Sequence, residues 1–263
     1  MPTEPTPLEA VVQRDRIVIL AGLAVVTALA WAYLFFLVSR MQSAGAMDMA
    51  SEMAMPQSHG WGPVELLLLF VMWFVMMIAM MLPSVAPMIL IFARMDRQKG
   101  STRVPGSAAI LVVGYLLVWA GFSGLASMAQ WQLHNASLVS SMMVSTSSIL
   151  GGVLLLGAGV FQFTPLKQGC LVRCRSPLSF LMSEWRDGRW GTLVMGMRHG
   201  IYCVGCCAVL MTLLFVAGVM NLLWVATIAA FILVEKLAPK GERLGQIAGA
   251  GLILAGIALM FNG

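Results

Sequence analysis

Hydrophobic runs alternate with short polar segments along the whole chain. Seven runs approach the roughly 20 residues that a helix needs to cross a hydrocarbon core. They lie near residues 17–38, 64–93, 107–128, 146–165, 192–217, 220–236 and 245–261. Only Val219-Met220-Asn221 separates the fifth run from the sixth. The pattern predicts an all-α fold, a polytopic transmembrane helical bundle of about seven spans.

The composition agrees with this fold class. Of the 263 residues, 60% are hydrophobic and only 10% are charged, which leaves no stretch for a separate soluble domain. We expect a disordered cytoplasmic tail over residues 1–16 and a single transmembrane domain over 17–263, with a Met-rich outer loop at 39–62. The first run is longer than the apolar region of a signal peptide, so we interpret it as a retained anchor.

Basic residues fall in alternate connecting segments, which predicts the orientation. The basic segments hold Arg14 and Arg16, then Arg94, Arg97, Lys99 and Arg103, then Lys167, Arg173, Arg175, Arg186 and Arg189, and finally Lys236, Lys240 and Arg243. Under the positive-inside rule the N-terminus is cytoplasmic and the C-terminus lies outside. The net charge of +5 therefore reflects topology and does not indicate nucleic-acid binding.

The fifth run contains an imidazole and three thiols on one helical stripe. His199, Cys203, Cys206 and Cys207 stand at i, i+4, i+7 and i+8. Thiolate and imidazole suit Cu(I) and also Zn(II), and such groups within a membrane span indicate a functional site. The alternative is that the cysteines pack as small hydrophobes and that a carbonyl group satisfies the histidine.

Methionines are concentrated in the first third of the chain, where 11 of the 22 lie between positions 41 and 88. In the outer loop they are joined by one histidine, and the candidate ligands there are Met47, Met49, Met53, Met55 and His59. Thioethers are soft ligands that select Cu(I), and in this loop they would be the first to meet an incoming ion. The alternative is that a flexible Met-rich segment lies on the bilayer or on neighbouring helices.

The second run carries further methionines in two helical columns. Met72, Met76 and Met80 form one column, and Met77 and Met81 form the other. Pro83 and Pro87 free backbone carbonyls that must find a partner in protein, water or an ion. We expect Met76 or Met80 to approach the fifth run and to complete a three- or four-coordinate site. Ordinary packing of a Met-rich, kinked helix is the alternative.

Two more cysteines, Cys170 and Cys174, lie in a basic segment that we assign to the cytoplasm. At i and i+4 they present both sulfurs to one side of a helix, and the flanking basic residues favour thiolate. Their spacing matches neither a zinc finger nor a thioredoxin motif. They are candidate metal ligands, or unpaired thiols beside residues that anchor to lipid headgroups. The pair Glu235-Lys236 is interpreted as an interfacial pair at the end of the sixth run.

Several of these motifs together resemble a bacterial family described as predicted metal-binding integral membrane proteins. They are Trp73, Met77, Ala79-Met80-Met81-Leu82-Pro83, Pro87-Met88, the segment from Cys170 to Pro177, Gly196, the segment from His199 to Cys207, and Glu235-Lys236. The similarity extends from about position 60 onward. It implies a multi-pass protein of the bacterial inner (cytoplasmic) membrane, and it implies no reaction.

Three classes of function remain. The first is a copper-handling membrane protein that transports, relays or delivers Cu(I), with a periplasmic metal carrier protein as a candidate partner. The second is a membrane thiol–disulfide or electron-transfer protein, and the third is a non-catalytic assembly or scaffold subunit. Paired catalytic carboxylates, phosphate-binding glycine loops and Ser-His-Asp groupings are absent from the sequence, so no catalytic residue is assigned. Abundant thioethers favour the first class, because disulfide exchange uses thiolates only.

Overall fold

A computed structural model describes the backbone of residues 7–51, 62–101, 103–135, 148–219 and 221–262. Side chains are described for residues 11–40, 62–101, 103–133, 149–216, 218–219 and 221–261. Within these ranges the chain is almost entirely helical and contains no strand, which confirms the all-α helical bundle. The helices are α1 (Pro7–Ser51), α2 (Pro63–Gln98), α3 (Val104–Asn135), α4 (Ser148–Phe161), α5 (Pro165–Arg175), α6 (Pro177–Glu184), α7 (Gly188–Met211), α8 (Leu214–Ala217), α9 (Leu222–Leu237) and α10 (Gly241–Asn262).

In the described part of the chain, five helical segments are long and apolar enough to cross a membrane. They are Val11–Arg40, Pro63–Gln98, Val104–Leu133, Gly188–Val216 and Gly241–Phe261, and the pair Ile149–Phe161 and Pro165–Arg175, bent by 63°, makes a sixth if it counts as one broken span. The seven spans expected from the sequence are therefore not all found. The remaining run corresponds to α9, which has only 16 residues and is shorter than the roughly 20 needed to cross. The orientation of the bundle stays a prediction.

Helix α1 extends beyond its apolar run at both ends. It includes ten residues of the segment expected to be a disordered tail, and it continues to Ser51, well into the segment expected to be an outer loop. At the N-terminal end, the helical conformation is supported by Asp15. Its side chain is largely buried and accepts a hydrogen bond of 2.8 Å from Nε of Arg97 at the end of α2. This ion pair holds the start of α1 against α2.

Helix α2 lies at the centre of the bundle and packs against α1, α3, α6 and α9. It continues as one helix through Pro83 and Pro87. Near these prolines the carbonyl of Met81 accepts hydrogen bonds from two hydroxyl groups, Ser84 Oγ at 2.8 Å and Tyr115 OH at 3.4 Å. The Met81 carbonyl thus finds these partners within the protein, where lipid would offer none.

Glycines allow two helix pairs to approach closely. A Cβ atom at Gly196 of α7 would collide with the carbonyl of Leu111 in α3, and one at Gly159 of α4 would lie 2.7 Å from the carbonyl of Gly249 in α10. Small residues at such contacts let transmembrane backbones pack directly on one another. The α3–α7 contact brings the histidine and cysteine stripe of α7 into the core.

Two short helices, α5 and α6, connect α4 to α7. Each begins with a proline at its first position, Pro165 or Pro177. Proline is tolerated there because an amide hydrogen in the first turn of a helix has no hydrogen-bond partner within the helix. Thr164 caps α5. Glu184 at the end of α6 forms an ion pair with Arg198 of α7. These contacts fold the segment back against α7.

Candidate metal centre

Helix α7 buries His199, Cys203, Cys206 and Cys207 on one side, where it faces the rest of the bundle. The thiols of Cys206 and Cys207 both donate hydrogen bonds to the Cys203 carbonyl, at 3.1 and 2.8 Å. The three cysteines are at most 1% exposed. The stripe recognised in the sequence is therefore a buried face of the helix.

Helix α5 adds the two other cysteines to the same place. Cys174 Sγ lies 3.9 Å from Cys206 Sγ, across the contact between α5 and α7. The close approach depends on Gly205, because a Cβ atom there would lie 2.7 Å from Cys170 Sγ. All five cysteines of the chain thus meet along one helix contact, although 29 positions of sequence separate Cys174 from Cys203.

Helix α2 contributes a thioether to this group. Met81 Sδ lies 3.9 Å from Cys207 Sγ. Met81 belongs to the second column and precedes Pro83 by two residues, and the approach of Met76 or Met80 stays a prediction. Met76, Met77 and Met80 are also buried, at most 2% exposed, in the core of the bundle. We refer to Cys174, Cys203, Cys206, Cys207 and Met81 as the sulfur cluster, with Cys170 at its edge.

A lysine reaches into the sulfur cluster from α9. Nζ of Lys236 lies 3.0 Å from Cys203 Sγ and 3.1 Å from Ser84 Oγ, and the Tyr115 hydroxyl is also 3.0 Å from Cys203 Sγ. Lys236 is 7% exposed and Glu235 is 2% exposed. The interpretation of this pair as interfacial is wrong, because each side chain finds a charged or polar partner inside the protein.

The partner of Glu235 is another buried lysine. Lys167 of α5 donates a hydrogen bond of 2.6 Å to Glu235 Oε1 and another to Gln162 Oε1. Gly245 of α10 makes room for the carboxylate, since a Cβ atom there would collide with Glu235 Oε1. A polar layer therefore lies beside the sulfur cluster. The sequence indicated this polar layer only by the two ionisable residues, Glu235 and Lys236, at the end of an otherwise apolar run.

His199 lies one helical turn before Cys203. Its side chain is 4% exposed and packs between the rings of Phe180 and Tyr115, whose centroids are 5.1 and 6.0 Å away. Within the described part of the chain, its Nδ1 atom is buried and has no hydrogen-bond partner. Buried polar atoms normally have a partner, so this nitrogen is available to a ligand.

The described residues include sulfur–sulfur contacts but no preformed polydentate cage. Among the residues whose side chains are described, no group of three or more His, Cys, Asp or Glu is arranged to hold a metal ion. The His and Cys side chains alone therefore do not form the expected three- or four-coordinate site, and its completion by a methionine stays a prediction. The separations of 3.9 Å within the pairs Cys174–Cys206 and Cys207–Met81 nevertheless resemble the roughly 3.8 Å between two sulfurs that bind one tetrahedral ion at about 2.3 Å.

The candidate ligands of the outer loop are not part of this centre as the structure describes it. Met47 and Met49 belong to the last turns of α1, for which only the backbone is described. Met53, Met55 and His59 lie outside the described residues. A role for these five in capturing metal stays a prediction.

Comparison with known proteins identifies the family. No curated protein and no solved structure matches the chain. Residues 70–259 match the family described as PpoB2, copper chaperone. The match covers well over half of the chain and includes the whole sulfur cluster, whereas the Met-rich outer segment lies before it. A copper-chaperone family agrees with the metal-binding character that the sequence motifs implied. The chain belongs to the PpoB2 copper chaperone family.

Proposed function

We propose that this chain is a membrane copper chaperone of the bacterial inner membrane that binds Cu(I) as cargo at the sulfur cluster and delivers it to a partner protein. The convergence of five cysteines and Met81 from three helices supports this proposal. Family membership supports copper as the metal. The long apolar helices support a location in the membrane.

Among metal ions, the donor atoms of the cluster favour Cu(I). Thiolate and thioether sulfurs are soft ligands that select Cu(I), whereas carboxylates suit harder ions. The carboxylate next to the cluster, that of Glu235, is already engaged by Lys167. His199 Nδ1 offers one borderline nitrogen ligand near the sulfurs. Zn(II) remains the competing ion, because thiolates bind it as well.

Paired sulfurs suit a cargo that must be released. A preformed four-ligand cage would retain its ion, whereas two-sulfur contacts allow one ligand at a time to be exchanged for a ligand of the partner. The proposed order is capture by the Met-rich outer segment, passage along the methionines of α2, and binding at the cluster through Met81. A periplasmic metal carrier is the proposed donor or recipient, since the outer segment would face it.

The first test is the copper content of protein purified in detergent under reducing conditions. We expect a defined amount of Cu(I) per chain in the wild type and its loss in a Cys203→Ser, Cys206→Ser double variant. Cys170→Ser should cause a smaller loss, because Cys170 lies at the edge of the cluster. Met81→Leu should weaken retention, and Met128→Leu, an exposed methionine on α3, is the matched control. Full copper in the double cysteine variant would refute the cluster as the binding site.

A thiol–disulfide function is the second candidate, and the contact between Cys174 and Cys206 favours it. A modest movement of either side chain would bring these sulfurs to bonding distance. This function predicts a redox-active pair, needs no metal and gives Met81 no role. Wild-type protein that binds no copper but forms a reversible Cys174–Cys206 disulfide would favour this candidate. Protein that does neither would favour a scaffold role.

A further inference from the structure

Cys203 has an environment that the other cysteines lack. Its sulfur accepts a hydrogen bond from Nζ of Lys236 and lies equally close to the Tyr115 hydroxyl, 3.0 Å from each. The described contacts of Cys206 and Cys207 are with carbonyl oxygen and with other sulfurs. An ammonium group directed at a sulfur stabilises it as a thiolate.

Within the described part of the chain, Lys236 forms no ion pair with a carboxylate. Its other described hydrogen bond is to the neutral hydroxyl of Ser84, at 3.1 Å. The adjacent carboxylate, Glu235, forms its ion pair with Lys167, so that those two charges cancel. Arg175 is directed towards the carbonyls of Ala238 and Pro239 at the end of α9. Lys236 thus contributes one positive charge to the cluster, and the Cys203 sulfur is its counterpart.

This charge changes the balance between monovalent and divalent ions. Cysteines bind metals as thiolates, so Cu(I) held by the thiolates of Cys203 and one other cysteine leaves one net negative charge, and a divalent ion held by the same pair leaves none. With the Lys236 ammonium included, the Cu(I) site is neutral and the divalent site has an excess positive charge. An uncompensated charge in the low-dielectric interior of a membrane protein is costly.

We propose that Lys236 is a specificity-determining residue, which makes the sulfur cluster select a monovalent ion over a divalent one. This inference rests on the proposed function, since it requires the cluster to bind metal. The inference assigns to the site a residue, Lys236, that does not itself bind the metal. It also explains why a lysine is buried among thiols. In the metal-free protein the same ammonium balances the Cys203 thiolate.

The experiment compares Cu(I) and Zn(II) affinities of the purified protein in detergent under anaerobic, reducing conditions. Each metal is titrated alone against a chromophoric chelator of known affinity. The variants are Lys236→Met and Lys236→Gln, which remove the charge, and Lys236→Arg, which keeps it. Lys240→Met is the matched control, because Lys240 is exposed just beyond the same helix. Size-exclusion elution and helical content establish that each variant is folded.

We expect the neutral variants to lower the ratio of Cu(I) to Zn(II) affinity by about 100-fold, the order expected for loss of one charge a few Å from the ion. Lys236→Arg and Lys240→Met should leave the ratio within a few fold of the wild type. An unchanged ratio in a folded neutral variant would overturn the proposal. Failure of both neutral variants to fold would also overturn it, because Lys236 would then serve the fold. If the wild type bound no copper at all, the proposed function itself would fail.

Discussion

Replacing Lys167 by Met would leave the Glu235 carboxylate buried without its ion-pair partner. Both side chains are 2% exposed, and the N–O distance between them is 2.6 Å. Removal of one member of a buried ion pair typically costs about 3–5 kcal/mol, because the remaining charge is desolvated and unpaired. For a domain of this size, that corresponds to a fall in the unfolding temperature of roughly 6–20 °C. We expect Lys167→Met to show such a fall in thermal unfolding followed in detergent.

The companion variant separates the loss of an ion pair from the loss of packing. Replacing Lys167 by Met together with Glu235 by Leu removes both charges, and such apolar replacements of buried pairs are often neutral or stabilising. The double variant should therefore recover most of the lost stability. Lys99→Met is the surface control, since Lys99 pairs with the exposed Asp187 at 3.6 Å and its loss should be undetectable. Equal instability of the single and double variants would refute the reasoning.

Two further predictions concern packing and topology. Gly196→Ala should destabilise the α3–α7 contact and lower the unfolding temperature, because the added methyl group would collide with the Leu111 carbonyl. Gly121→Ala is the control and should leave the unfolding temperature unchanged, because the space around its Cβ position is open. Equal effects of the two substitutions would contradict the described contact. A topology reporter inserted at Lys99 should indicate the cytoplasm, and a reporter fused after Gly263 should indicate the outer side. If both reporters indicate the same side, the predicted odd number of spans is refuted.

Local sequence patterns were sufficient for the features that depend on one helix at a time. The apolar runs predicted the long helices, and the i, i+4, i+7 spacing predicted that His199, Cys203 and Cys206 share a face. The burial of the Met columns on α2 follows from the same periodicity. These predictions succeed because a helix determines which of its own residues lie together, whatever it packs against.

Features that depend on contacts between distant segments were not predictable in this way. Lys167 and Glu235 are 68 positions apart, so nothing in the local sequence shows that they neutralise each other. Without that partner, charge at the end of an apolar run indicates a membrane interface. The same limitation explains why the packing of Cys170 and Cys174 against α7 was not predicted, since nothing in their basic segment indicates the contact that Gly205 allows.

The assembly of the sulfur cluster from remote parts of the chain has a consequence for biosynthesis. Cys207 and its contact Met81 are 126 positions apart, and Lys236 and its contact Ser84 are 152 positions apart. A ribosome delivers these helices to the membrane in order, so the thiols of α7 enter before the ammonium group of α9 exists. During that interval the nascent chain holds cysteines without their counter-charge. Under the proposed role of Lys236, selective loading with cargo starts only after translation has passed Lys236 and α9 has been inserted.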